Sequence, residues 1–131
     1  MNDQTRARLI VEARQAATAS HSPYSRFRVG AAVLTRNGMI VRGCNVESAS
    51  YGLTNCAERV ALGAAIARNC GTPIAIAVSC PDGDLTKVAT VMPCGACRQV
   101  MSELLVEEAE VIVDGVGVFT VDELLPRAFR L

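Results

Sequence analysis

The residues of this chain best suited to chemistry lie in two strings, Cys56-Ala57-Glu58-Arg59 and Pro93-Cys94-Gly95-Ala96-Cys97-Arg98-Gln99. Cysteine thiolates are strong zinc ligands, and a set of three leaves the fourth tetrahedral position open to water. Glu58 stands two residues from Cys56, within reach of such a water. A closed zinc site only holds a fold, whereas an open one beside a proton-moving carboxylate can hydrolyse a substrate. Cys94 and Cys97, three residues apart, share one face of a helix's first turn. Cys56 also stands at an expected helix start. Free amide N–H groups and the positive dipole end at a helix N-terminus favour thiolates there. Three thiolates on one divalent zinc leave about one net negative charge. Arg59 and Arg98, each within a turn of a ligand, are placed to balance it.

Other chemistries use the same residue types. A lone C-x-x-C fits a redox pair of the thioredoxin type, although that motif normally follows a strand early in a βαβ pattern. A closed structural zinc site needs a fourth ligand. Cys44, Cys70, Cys80 and His21 are the donors left, and none supplies a second paired spacing. The three cysteines read as small buried residues or inert thiols. His21, followed by a turn, reads as a surface residue.

The spacing of apolar residues predicts the elements that position these groups. Residues 3–19 read as a helix, with Leu9, Ala13, Ala16 and Ala17 at helical spacing, ended by Ser20-His21-Ser22-Pro23. Phe27 to Thr35 reads as a strand, Asn37-Gly38 as a tight turn and Met39 to Cys44 as the partner strand. After a polar loop from Asn45 to Asn55, Cys56 to Asn69 reads as a helix with Gly71 as its stop. Ile74 to Ser79 reads as a buried strand, Pro81 to Val91 as loop and Cys94 to Leu105 as a third helix. Asp114-Gly115 between residues 110–113 and 116–119 marks an antiparallel hairpin. Thr120-Val121-Asp122-Glu123 fits a capping box opening a short helix that Pro126 ends. The stretch Val60 to Ala67 is apolar on all sides, which calls for cover on both faces, either by a second subunit or by a further layer of the same chain.

Composition narrows the function classes. The 131 residues fit one domain, expected to span 1–131. Half are apolar, with two Tyr, three Phe and no Trp, so the core must be aliphatic and alanine-rich. Thirteen basic residues balance thirteen acidic ones. Polynucleotide binders usually carry a basic excess, so a small neutral substrate is expected and no nucleic-acid partner. No apolar run approaches the ~18 residues of a membrane helix, and the polar start, Met1 to Arg6, is unlike a secretory signal. The expected compartment is reducing cytoplasm, where cysteines bind metal rather than pair.

Beyond the metal strings, three segments carry a resemblance. They are Pro23-Tyr24-Ser25-Arg26-Phe27-Arg28-Val29-Gly30-Ala31-Ala32, Gly43-Cys44-Asn45-Val46-Glu47-Ser48-Ala49-Ser50-Tyr51 and Glu123-Leu124-Leu125-Pro126-Arg127-Ala128-Phe129. In that order they resemble the first-strand, ribose-binding and C-terminal segments of the cytidine deaminase family, in its small three-cysteine form. The resemblance implies a three-layer α/β/α sandwich around a mixed five-stranded sheet. It implies one zinc per subunit on Cys56, Cys94 and Cys97, with Glu58 as the proton shuttle. By the same resemblance Asn45 and Glu47 bind the sugar hydroxyl, Phe27 packs on the base and Ala57 offers backbone contacts to the pyrimidine edge. Phe129 matches an aromatic that reaches a neighbouring subunit's pocket in a homotetramer, with Ala49 and Tyr51 near that boundary. Plain core packing is the other reading of Phe27 and Phe129. The charged Arg28 stands at a variable position of the family and must face solvent or find a partner.

The implied reaction is hydrolytic deamination of cytidine and deoxycytidine to uridine and deoxyuridine plus ammonia, in pyrimidine salvage. A deaminase of a cytosine-nucleoside antibiotic of the blasticidin S type shares the zinc strings, but Asn45 with Glu47 favours a true ribose. The Asp114-Gly115 hairpin and the zero net charge argue against a polynucleotide-editing relative. A zinc-stabilised assembly module without turnover is the non-enzymatic reading.

Overall fold

Period-two alternation along the strands sorts the interior into two layers. The computed structural model describes all 131 residues. Its elements are α1 (Asp3–Ala17), β1 (Gly30–Thr35), β2 (Ile40–Cys44), α2 (Ala57–Ala67), β3 (Pro73–Ser79), α3 (Gly95–Leu104), β4 (Glu110–Val113), β5 (Gly117–Thr120) and α4 (Val121–Leu124). The five strands form one sheet in the order β2-β1-β3-β4-β5. β3 and β4 run parallel, and every other pairing is antiparallel. Ala31, Val33, Ile76, Val78 and Val111 pack with Leu62 of α2, Met101 of α3 and Leu124 of α4. The alternate residues Ala32, Ala75, Ala77 and Ile112 pack under Leu9 and Ala13 of α1. This is the expected three-layer α/β/α sandwich on a mixed sheet.

Small residues set the spacing of the layers. A Cβ on Gly43 of β2 would stand 2.4 Å from the Ala61 backbone nitrogen of α2. A Cβ on Gly30 of β1 would stand 1.9 Å from the Ala13 carbonyl oxygen of α1. Backbone therefore lies directly on backbone at both contacts. On the α1 side, Arg6 donates to Glu110 at 2.7 Å through both Nε and Nη2, and Arg14 pairs with Asp114. Asp114 also accepts from Ser79 at the end of β3.

The element boundaries differ from expectation where side chains replace backbone partners. The first strand begins at Gly30 rather than Phe27. Within Phe27–Val29 the Phe27 carbonyl accepts from Asn45 Nδ2, and the Val29 N–H donates to Asn45 Oδ1. The second and third helices begin one residue after their cysteines, with Cys56 and Cys94 at the N-cap. The last strand is shifted by one residue, to Gly117–Thr120. Half of the anticipated capping box forms: Thr120 Oγ1 accepts from the Glu123 N–H at 3.2 Å. α2 buries Ala57, Glu58, Ala61, Leu62 and Ala65, while Gly63, Ile66 and Ala67 remain exposed. No further layer of the chain covers that outer face. No helix is long and apolar enough to cross a membrane.

The Gly43 contact gives a stability prediction. Overpacking a tight interior typically costs about 1–3 kcal/mol. Because backbone rather than a yielding side chain faces Gly43, Gly43→Ala is expected to lower unfolding free energy by at least about 2 kcal/mol. The measurement is the urea midpoint at unchanged m-value. A midpoint equal to the parent's would show that α2 can shift without cost.

Candidate active site

Two helix N-termini converge on one side of the sheet. Cys56 caps α2, Cys94 caps α3, and Cys97 lies in the first turn of α3. The Cys56 and Cys94 sulfurs are 3.9 Å apart, those of Cys94 and Cys97 are 3.5 Å apart, and all three lie within 4.8 Å of one another. Tetrahedral coordination with Zn–S bonds of about 2.3 Å requires sulfurs about 3.8 Å apart. The donor set therefore fits zinc in type and spacing, and no fourth side-chain donor belongs to the group. A hydrogen bond from Cys97, and then one from the Arg59 guanidinium, hold the Cys56 thiol down at about 5 against the burial that raises it. Cys97 is pushed the opposite way, first by its bond to Cys56 and then by burial.

The charge-balancing arginines divide their work. Arg59 Nη2 donates to Cys56 Sγ at 3.4 Å and reaches the Thr54 carbonyl at 3.5 Å. Arg98 turns away from the sulfurs: its Nε donates to the Pro93 carbonyl at 2.7 Å and its Nη1 to the Leu124 carbonyl at 2.8 Å. It fastens α4 to the loop that carries Cys94.

Beside the sulfurs lies a cavity of about 160 Å³. Glu58 lines it and is 4 % exposed. Burial pushes its carboxyl above the ordinary carboxylate value. Phe27, Asn45 and Ala57 line the same cavity. Glu47 lines an adjoining shallow pocket with Tyr24, Ser25 and Tyr51, and Thr54 lines both. Asn45 is buried. Glu47 accepts from the Tyr24 and Ser25 N–H groups at 3.1 Å each and from the Ser25 hydroxyl. The Ser25 hydroxyl bond is the main cause that keeps its carboxyl below the ordinary range. A carboxylate has about four acceptor positions, so one is left for a ligand hydroxyl. Ala49, Tyr51 and Phe129 are exposed, and none of them lines the 160 Å³ cavity.

Several lining residues carried no signal in the sequence. Val29, Val78, Cys80, Thr90, Val91 and Met92 complete the cavity wall. Cys80 is the instructive one. Burial pushes its thiol up to about 12, so it faces the cavity as a neutral group. Its position follows from the end of β3, and no motif marks it. Cys70 is buried as expected, and His21 is exposed.

An open three-thiolate metal group with a buried carboxylate, on helix N-termini above an α/β/α sheet, defines a hydrolytic zinc enzyme by its chemistry. The model of the cytidine and deoxycytidylate deaminase zinc-binding region matches residues 3–113, and the chain belongs to that family. A cytidine deaminase of Halalkalibacterium halodurans is 49% identical over 128 residues, 95% of this chain and 93% of the relative. The crystal structure of a cytidine deaminase from Mycobacterium tuberculosis superposes with a TM-score of 0.85 at 40% identity, covering 100% of both chains. A blasticidin-S deaminase of Bacillus cereus is 29% identical over 111 residues, 80% of this chain and 79% of the relative.

The geometry predicts the outcome of removing one ligand. Two thiolates cannot close a zinc site that needs three protein donors. Cys94→Ala is expected to lose its zinc on dialysis while the parent keeps one per chain, as read by elemental analysis. Acid should strip the parent too, because each thiol must give up a proton to bind metal. Full occupancy in Cys94→Ala would reassign the ligands.

Proposed function

We propose that this chain, acting as one domain over residues 1–131, catalyses the hydrolytic deamination of cytidine and deoxycytidine to uridine and deoxyuridine with release of ammonia. The observation that carries the reading is the buried Glu58 carboxyl, one residue into a helix whose N-cap position is held by Cys56 of an open metal group. Zinc held by Cys56, Cys94 and Cys97 supplies Lewis acidity and makes water a nucleophile at neutral pH. Glu58 takes a proton from the attacking water and places it on ring N3, which makes C4 electrophilic. It then takes the remaining proton of the hydroxyl added at C4 and hands it to the departing amine, so that the C4 carbonyl forms as the C4–N bond breaks and ammonia leaves. Ala57 presents backbone to the pyrimidine edge, and Phe27 packs on the base. Asn45 uses one amide N–H on Phe27 and keeps the other for the sugar, beside the remaining acceptor position of Glu47. Arg59 offsets the charge of the thiolates.

An ultraviolet assay of the zinc-loaded protein against cytidine, deoxycytidine, cytosine and blasticidin S tests the reading. Turnover of the two nucleosides with little turnover of free cytosine supports it. Preference for blasticidin S would move the chain to the antibiotic class. Glu58→Gln should keep zinc and fold and lose at least about 10²–10⁴-fold in kcat, the usual contribution of a general acid–base group.

A homotetramer in the reducing cytoplasm completes the proposal. Its support is the exposed outer face of α2, where Ile66 is 51 % exposed, and the 70 % exposure of Phe129 at the chain's end. All six cysteines are free thiols, which a reducing compartment maintains. A site completed by a neighbour's Phe129 makes inactive chains complementary. Mixing Glu58→Gln chains with chains truncated before Phe129, under subunit exchange, should restore part of the activity. A fully active monomer in light scattering would exclude the shared site.

A further inference from the structure

The cavity has two walls that run on past the last paired residues of β1 and β3, Gly30 and Ser79, where the ladder no longer joins them. Phe27 and Val29 form one, on the extended segment before β1. Cys80, Thr90, Val91 and Met92 form the other, on the connection between β3 and α3. We propose that Arg28 and Asp82 clasp together the two segments that carry these walls, and that Asp82 is thereby a positioning residue that holds Phe27 at the base. The inference rests on the deaminase reading of the site for its kinetic consequence.

An extended chain turns successive N–H groups to opposite sides. The Val29 N–H turns to Asn45 Oδ1 at 2.9 Å, and the Arg28 N–H turns to Asp82 Oδ2, also at 2.9 Å. The Arg28 side chain curls onto the same carboxylate, with Nε 2.9 Å from Oδ2 and Nη2 2.7 Å from Oδ1. Asp82 thus receives three hydrogen bonds from one residue 54 positions away. The connection that carries Asp82 is held together internally. The Gly83 N–H donates to the Cys80 carbonyl at 2.9 Å, and Asp84 Oδ1 accepts from both the N–H and the hydroxyl of Thr86. Leu85 lies over the hairpin tip, where a Cβ on Gly115 would meet its Cδ1 at 2.6 Å. A pull on Asp82 is therefore carried to Cys80 and its neighbours. Hydrogen bonds from the Arg28 side chain, then from its backbone, hold the Asp82 carboxyl at about 2.

Exposed ion pairs contribute little to stability, and the Arg28 side chain is 48% exposed. The bidentate geometry with an added backbone bond contributes direction instead. Loss of the clasp should therefore weaken substrate binding and leave thermal stability unchanged.

The test uses zinc-loaded Asp82→Ala, Asp82→Asn, Arg28→Ala and the double alanine variant. Asp82→Ala is expected to raise KM for cytidine about three- to tenfold with kcat within about twofold, the pattern of lost binding rather than lost transition-state contacts. Zinc content and Tm should match the parent. Arg28→Ala keeps the backbone amide that donates to Asp82, so its effect should be smaller, and the double variant should be no worse than Asp82→Ala. Asp82→Asn retains an acceptor for that amide and should recover part of the loss. Hydrogen exchange followed by mass spectrometry should show faster exchange over residues 27–29 and 80–92 in Asp82→Ala. Unchanged exchange and KM, additive single effects, or a fall in Tm that accounts for the loss would each overturn the clasp. Parent enzyme inactive on every cytosine nucleoside would instead overturn the deaminase reading, and the exchange experiment would still decide the clasp.

Discussion

Three sulfurs that carry negative charge when metal is bound must be held within 4.8 Å of one another, and like charges at that distance repel. Most of the architecture follows from meeting that demand. Two helices have to aim their N-termini at one point, because amide N–H groups and dipole ends are the groups a chain of this size can spare for the task. Both helices must therefore lie on the same face of the sheet, and they do, packing over Val33, Ile76 and Val111. Their close seating depends on Gly43, which lets α2 rest on the backbone of β2. Arg59 adds a full positive charge where the dipoles offer only partial ones.

The parts legible in the sequence are those governed by neighbours along the chain. Asp114-Gly115 announced its hairpin, and Gly115 adopts φ +79 there. The cysteines stood at helix starts because capping is a local matter. The Phe27–Val29 segment was misread as strand because its pattern is apolar and extended. Its N–H groups go to side chains, those of Ser25, Asp82 and Asn45, and only the Val29 carbonyl takes a backbone partner, the Asn45 N–H. The bonds of Arg98 were hidden for the same kind of reason. Proximity to Cys97 in sequence suggested charge balance, whereas two backbone carbonyls with no other donor took its guanidinium. Cys80 and Met92 reach the cavity through the path of a loop, and spacing says nothing about that path.

Asn45 and Glu47 show how a small chain economises on polar groups. Each side chain already organises the backbone around it: Asn45 holds Phe27 and Val29, and Glu47 holds Tyr24 and Ser25. The capacity left over is what a sugar hydroxyl would use. Substitution at Asn45 therefore disturbs the wall of the cavity, and substitution at Glu47 the wall of the adjoining pocket, as well as the proposed contact to the sugar. The two effects separate only when binding of a nucleoside is compared with binding of the free base.

The parallel pairing of β3 with β4 has a consequence for how the metal arrives. Cys94 and Cys97 lie on the crossover between those strands, three residues apart, and can chelate as soon as they are synthesised. Cys56 lies 38 residues from Cys94, and the loop between them closes only when α2 and α3 dock on the same face of the sheet. Before the sheet closes, the chain offers zinc no more than two thiolates held close together by local structure, Cys94 and Cys97. Tight retention begins only once the tertiary fold is in place, because metal affinity and folding free energy are then the same quantity. Zinc retention is thereby tied to closure of the sheet, and a copy whose sheet stays open holds the ion no better than a pair of thiolates would.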